Sequence, residues 1–265
     1  MANPALTFVT TCKGRLHHLR ETLPLMAAQA SCVVVDYSCP DHCGDWVAAN
    51  LPDVRVVRVA DETGFNPSRA RNLGAAAATS EVLCLIDADV RVAQAFAATV
   101  LDGFDPRSYY LPEPLAGDIS GTVVCAARAF EFVDGYDEAC SGWGGEDIDL
   151  YDRMELHQLR RAAFPATLLA ALPHSDALRV AHHAGAGKDF SNSVNLLYSH
   201  IKLDLMRVAA SRLPLDYRLR LHAQVRDACA ASRATSAPVR IEVPVAGVEV
   251  NFCSMQTSLA YTISL

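Results

Sequence analysis

Val82-Leu-Cys-Leu-Ile86, followed at once by Asp87-Ala-Asp89, decides the reading of the fold. Five apolar residues with no polar alternation describe a strand buried on both faces, and its carboxyl end carries two carboxylates. The same design recurs upstream. Leu6-Thr-Phe-Val-Thr-Thr11 is a short β-rich run, and Cys32-Val-Val-Val-Asp36 is a continuous apolar strand ending in a carboxylate. A helix from Leu16 to about Ala30, a short helix from Asp45 to Asn50 with the strand Val54–Val59, and the Ala-rich stretch Pro67–Thr79 lie between them. Strands apolar on both faces and separated by helices predict a parallel sheet in an α/β domain. In such sheets ligands gather at the carboxyl ends of the strands. Those ends here carry Thr10 and Thr11, Asp36, and Asp87 with Asp89.

The chain has 265 residues, enough for one large domain or two small ones. It is 51% hydrophobic and 20% charged, the composition of a packed globule rather than a disordered chain. A net charge of −7 gives no basic footprint for nucleic acid. No apolar run approaches the ~20 residues of a membrane span, and no signal peptide is read at the start, so a cytoplasmic protein is expected. The nine cysteines are odd in number and suggest no disulfide framework. Cys32, Cys84 and Cys125 sit in apolar runs as small hydrophobes. Cys39 and Cys43 flank His42, but a zinc site needs two more ligands and no second pair is spaced to supply them, so thiols in a loop are expected.

Further along, Gly121-Thr-Val-Val-Cys-Ala-Ala127 reads as a strand, and Phe130–Val133 with Gly135–Glu138 as a short helix and turn. The glycine-dense loop Ser141-Gly-Trp-Gly-Gly145 precedes Glu146-Asp-Ile-Asp-Leu-Tyr-Asp-Arg153, which has helical spacing and an acidic first turn. Residues 192–232 are mostly helical with a break at Leu213-Pro214, and the last thirty alternate like a hairpin around Ala246-Gly247. Two carboxylates at a strand end can bind a hard divalent ion that neutralises a diphosphate. An indole beside carboxylates suits the C–H face of a sugar, and of two carboxylates at a helix start one can accept a hydroxyl proton. A core tryptophan and a helix cap explain the same residues structurally.

Taken in order, Phe8-Val-Thr-Thr-Cys-Lys-Gly-Arg15, Val34-Val-Asp36, Arg69-Ala-Arg-Asn-Leu-Gly74, Asp87-Ala-Asp89 and Gly142-Trp-Gly-Gly-Glu-Asp-Ile-Asp149 resemble the GT-A nucleotide-sugar glycosyltransferases of the family 2 type. The middle is similar to the galactosyltransferase C-terminal module of β-1,4-galactosyltransferases. The likeness runs from about Leu6 to His174. It implies a GT-A fold: a Rossmann-like nucleotide-binding sheet with a mixed acceptor-side sheet, over residues 1–190. Residues 191–265 form a C-terminal appendage of helices and a β-hairpin, for which packing on that domain, a homodimer interface and a part in the acceptor site all stay open.

The resemblance also implies the chemistry. Thr10, Thr11 and Arg15 line the nucleotide pocket, Asp36 faces uracil, Arg69, Arg71 and Asn72 offer contacts to donor phosphate or sugar, and Asp87 faces the ribose or donor sugar. Asp89 ligates Mn2+ or Mg2+, with His174 as the favoured further ligand and His182 or His183 as the second choice. Trp143, with Gly144, covers the donor on a mobile loop. Asp147 is the base and Glu146 holds the acceptor. The implied reaction is metal-dependent, inverting transfer of a hexose or N-acetylhexosamine from a UDP-sugar to a hydroxyl acceptor, whether saccharide, lipid-linked sugar, natural product or peptide. A silent sugar-nucleotide-binding protein and a sugar nucleotidyltransferase are the competing readings. The second calls for a Gly-rich N-terminal phosphate loop where this chain has only Lys13-Gly14.

Overall fold

The computed structural model describes residues 5–115, 117–173, 182, 187–250 and 253–265. Contacts divide the chain into two units, the first of residues 1–137 and 150–184, the second of residues 138–149 and 185–265.

The first unit is built on β1 (Leu6–Cys12), α1 (Leu16–Ala27), β2 (Ser31–Tyr37), α2 (Cys43–Asn50), β3 (Arg55–Val59), α3 (Pro67–Ala77) and β4 (Val82–Leu85), all within a few residues of the predicted bounds. β5 (Val90–Val92), α4 (Phe96–Leu101), β6 (Ser108–Glu113), β7 (Val123–Ala126) and α5 (Ala127–Phe132) follow. The unit closes with part of α6 (Glu146–Leu156), then β8 (Arg160–Pro165) and β9 (Leu169–Ala171). Seven strands form one sheet in the order β3-β2-β1-β4-β7-β6-β8. The β3-β2-β1-β4 half is parallel, β7 runs antiparallel to both β4 and β6, and β6 pairs β8 in parallel. β5 and β9 make a separate antiparallel pair.

Alternation along each strand feeds two cores. Phe8 and Cys84 join Leu19, Leu23, Val34 and Phe96 on one face. Val9, Leu83 and Leu85 join Val33, Tyr109, Tyr136 and Met154 on the other. Both faces are covered, which is why these strands carry no polar alternation. The order of strand addition switches sides at β1: β2 and β3 lie to one side and β4 to the other, so the carboxyl ends of β1 and β4 flank the crevice where α/β sheets bind ligands.

The second unit contains the glycine loop, the first turn of α6, two long helices, α7 (Lys188–Ala209) and α8 (Leu215–Thr235), and the strands β10 (Val239–Val250) and β11 (Cys253–Ile263). Its core joins Ala139 and Cys140 to Val194, Tyr198, Ile201, Leu205, Leu221, Val225, Ile241 and Ile263. The predicted hairpin exists, but Ala246-Gly247 is not its turn. β10 continues through both residues, which pair with Thr257 and Gln256, and the register shifts between Pro244 and Ala246. An irregularity of the ladder accommodates the small residues that look like a turn in the sequence. Among the described residues no helix is long and apolar enough to cross a membrane.

Candidate functional site

In the first unit, parallel pairing of β1 with β4 (Val9 opposite Leu85) sets the end of one strand beside the other, and Arg15 and Asp89 meet just beyond them. Arg15 Nη1 donates to Asp89 Oδ2 at 2.6 Å, and Arg71 Nη2 donates to Asp87 Oδ1 at 2.9 Å. Asp89 is buried and Asp87 partly open. The turn that bears them is fixed by its carbonyls: Thr22 Oγ1 donates to Ala88 O at 2.8 Å and Leu172 N–H to Asp89 O at 2.7 Å. Thr10, near the end of β1, is buried, and its hydroxyl has no hydrogen-bond partner among the described residues. An orphaned buried hydroxyl is a cost that a ligand atom can relieve.

Arg71 is positioned by α3. Asn66 caps that helix by accepting from Arg69 N–H at 2.9 Å, and Pro67 starts it. The Arg71 guanidinium also lies 4.9 Å from the centre of the Tyr136 ring. Its helical neighbours point to other partners. Arg69 is exposed and pairs with Glu62. Asn72 clamps a turn, donating to Tyr136 O at 2.9 Å and accepting from Tyr136 N–H at 2.8 Å. Asp36 likewise holds its own loop. Its Oδ1 accepts from Cys39 N–H at 2.9 Å and its Oδ2 from Gly44 N–H at 3.0 Å, with Arg58 3.5 Å away. Thr11, the last of the predicted set on β1, is partly exposed.

In the second unit, Gly142, Gly144 and Gly145 all have positive φ, at 80°, 87° and 88°. At Gly145 the missing side chain also matters for space, because a Cβ would stand 2.8 Å from Asn195 Cβ. The close approach lets α7 grip the loop. Asn195 Nδ2 donates to Gly144 O at 2.6 Å and Ser141 O at 3.1 Å, and its Oδ1 accepts from Ser141 N–H at 3.2 Å. Ser191 Oγ accepts from Trp143 N–H at 3.1 Å. Lys188 Nζ lies 4.4 Å from the centre of the half-buried Trp143 ring. Four small residues predict a mobile loop, but its backbone is latched by two polar side chains of α7. Glu146 and Asp147 open α6 as expected, Glu146 buried and Asp147 partly exposed. Two residues on, Asp149 is fully buried with Lys202 and Ser199.

Sequence comparison now adds to this geometry. Residues 7–110 match the model of glycosyl transferase family 2, and residues 105–176 match one described as the N-terminal domain of galactosyltransferase. No curated protein sequence matches the chain. Three similar solved structures set the fold. A mannosyltransferase from Pyrobaculum calidifontis, complexed with GDP-Man and Mn2+, is 16% identical with a TM-score of 0.56, covering 89% of this chain and 77% of that one. Staphylococcus aureus TarS 1-349 with UDP-GlcNAc is 15% identical, with a TM-score of 0.58 and coverage of 88% and 73%. The catalytic domain of Drosophila β1,4-galactosyltransferase 7 with xylobiose is 13% identical, with a TM-score of 0.50 and coverage of 69% and 76%. The fold is that of the GT-A glycosyltransferases.

On that GT-A frame, the first unit brings Arg15 to Asp89 and Arg71 to Asp87, with Thr10 near the end of the neighbouring strand β1. The second unit holds Trp143, Gly144, Glu146 and Asp147. His174 and His183 lie outside the described residues. His182 is described: its carbonyl accepts from Phe65 N–H at 2.8 Å, and its Nε2 stands 2.2 Å from where a Cβ on Gly14 would be. Gly14, with φ of 68°, therefore leaves room for that ring. Sequence reasoning misses one structural role in each unit. Lys13 is buried, and its Nζ donates to Glu62 O at 2.6 Å and Tyr37 O at 3.1 Å, tying the loops after β2 and β3. Asn195 of the second unit holds the glycine loop, and His222 Nε2 lies 2.9 Å from its Oδ1. A lysine facing carbonyls and a buried asparagine leave no signal in one sequence.

Proposed function

We propose that the protein transfers a hexose or N-acetylhexosamine from a UDP-sugar to a hydroxyl acceptor, with a divalent metal and inversion at the anomeric carbon. The observation that carries the reading is the double Arg–Asp contact at the end of β4, Arg15 with Asp89 and Arg71 with Asp87. Hard carboxylate oxygens beside two guanidiniums suit Mn2+ or Mg2+ with a diphosphate. Asp89 would hold the ion, with His174 proposed as a further ligand and Asp87 proposed for the ribose or donor sugar. When bound, the ion supplies charge neutralisation for the leaving diphosphate.

The chain's own residues then divide the work. Arg15 and Arg71 exchange a carboxylate for phosphate oxygens, and the Thr10 hydroxyl gains the partner it lacks. Asp36, each of whose oxygens accepts one amide and keeps a second lone pair, is proposed for the uracil. Trp143 offers its indole to a sugar, Glu146 orients the acceptor, and Asp147 takes the hydroxyl proton as the new bond forms and UDP departs from the opposite face. Structural relatives carrying Mn2+ with GDP-Man and others carrying UDP-sugars support the donor class and leave the base to experiment.

The test is nucleotide release from a panel of UDP- and GDP-sugars, with and without Mn2+, by the wild type and Asp89→Ala. UDP release that needs both Mn2+ and Asp89, falling about 100-fold or more in the variant, is expected. Release of GDP alone would overturn the uridine assignment, and turnover indifferent to metal and to Asp89 would overturn the scheme. An α-configured product from an α-linked donor would remove inversion.

A further inference from the structure

Three thiols converge on one side of the first unit. Cys12 ends β1, Cys39 lies in the loop after β2, and Cys43 opens α2. All three are buried, and their sulfurs lie within 4.8 Å of one another. Cys12 Sγ and Cys39 Sγ are 3.9 Å apart. A disulfide brings two sulfurs to about 2.05 Å and leaves a third without a mate. Two thiolates on one tetrahedral zinc, each about 2.3 Å from it, are about 3.8 Å apart. The 3.9 Å between Cys12 and Cys39, a thiol–thiol hydrogen bond when no ion is bound, is close to the separation two sulfurs would take on one ion. Gly14 N–H also donates to Cys39 Sγ at 3.2 Å, a contact that favours the thiolate a metal needs. The pair Cys39 and Cys43 lacks further ligands when only nearby sequence is considered. The fold supplies Cys12 from 27 residues before Cys39.

We propose that Cys12, Cys39 and Cys43 form a thiolate site for a soft closed-shell metal ion, zinc above all, separate from the carboxylates at the end of β4. Each ligating thiol gives its proton to solvent as the ion binds, and three protein ligands leave a tetrahedral ion one further position. Thiolate softness selects zinc over Mn2+ or Mg2+, which the carboxylate oxygens proposed at Asp89 suit instead. The ion would brace the loops beside it. Asp36 already fixes the amides of Cys39 and Gly44 at the same turn, and Arg15 follows Cys12 by three residues. This bracing of a nucleotide pocket rests on the proposed function; the binding does not.

The test uses the full chain, purified reduced and free of chelator, and titrated anaerobically with Co2+ and then Zn2+. A thiolate-to-cobalt charge-transfer band that saturates at about one equivalent and is bleached by Zn2+ is expected. Cys12→Ser, Cys39→Ser and Cys43→Ser should each weaken binding about tenfold or more, while Cys229→Ser and Asp89→Ala stay within about twofold. Because a serine at a buried thiol can unfold the chain, native mass spectrometry of the wild type gives an independent readout: the mass of one zinc less the displaced thiol protons. Absence of both the band and the bound zinc in the wild type overturns the proposal. So does a Cys12–Cys39 disulfide in the native peptide map. Neither result touches the transferase reading, which the nucleotide-sugar panel tests separately.

Discussion

Asp147 and Glu146 are neighbours in sequence with unequal exposure, and that difference bears on the roles proposed for them. Glu146 is buried at the start of α6, while Asp147 is partly exposed, so an acceptor hydroxyl could reach Asp147 without displacing a packed side chain. Replacing Asp147 by Asn keeps size and hydrogen bonding but removes the proposed base. The turnover number with a matched acceptor should fall about 10²- to 10⁴-fold. UDP affinity, measured by calorimetry with Mn2+, should stay within about threefold, because the proposed donor contacts lie on other residues. Full activity in Asp147→Asn would move the base elsewhere. At this scale the sequence is legible where a motif names its residues, as at Asp87-Ala-Asp89. It is silent where function is shared through space, as in the backbone clamp made by Asn72 and the convergence of Cys12 on Cys39 and Cys43.

Helix α3 shows how an element delivers a side chain. It lies so close to β1 and β2 that a Cβ on Gly74 would stand 2.5 Å from Val9 Cγ1 and 3.0 Å from Val35 Cγ2. Gly74→Ala therefore sets two effects against each other. Helix propensity favours alanine by about 1 kcal/mol. Crowding against two β-branched strand residues costs about 1–3 kcal/mol, because their rotamers have little room to turn. The steric effect should win. Gly74→Ala is expected to lower the melting temperature, and a helix displaced outward carries Arg71 with it, so UDP binding should weaken as well. An unchanged melting temperature would show that the strands yield more easily than this packing implies. Elements of this kind are plain in the sequence, since β1 to β4 and α1 to α3 have strong apolar patterns separated by polar breaks. The segment after Arg91 is not, because β5 has three residues and α4 six, too few for a period to emerge. The hairpin turn is misplaced for a related reason: Ala-Gly signals a turn, but twelve residues of strand carry β10 past it.

Across the whole molecule the contacts define two units with separate cores, and the glycine loop with the first turn of α6 groups with residues 185–265 rather than with the sheet. In the sequence the boundary falls near residue 190 because the motifs stop there, and periodicity cannot show which distant segment a loop packs with. Within the second unit a buried ion pair also joins the first turn of α6 to α7. Asp149 and Lys202 are both fully buried side chains, with Ser199 donating to the same carboxylate oxygen and the Tyr198 ring 5.3 Å from Lys202 Nζ. Desolvating both charges is expensive, so the pair is not itself a large source of stability, but removing one partner strands the other charge in the core. Lys202→Met should destabilise this unit by about 3–5 kcal/mol, whereas Asp149→Leu combined with Lys202→Met, which removes both charges, should recover most of that loss. Hydrogen exchange can locate the effect. Amides of α7, α8, β10 and β11 should lose protection in Lys202→Met, while those of β1, β2 and β4 keep theirs, since the core of the second unit shares no residue with either core of the sheet. Equal loss of protection in the central sheet would show that the two units unfold as one, and the ion pair would then stabilise the whole chain rather than only the segment that carries the proposed base.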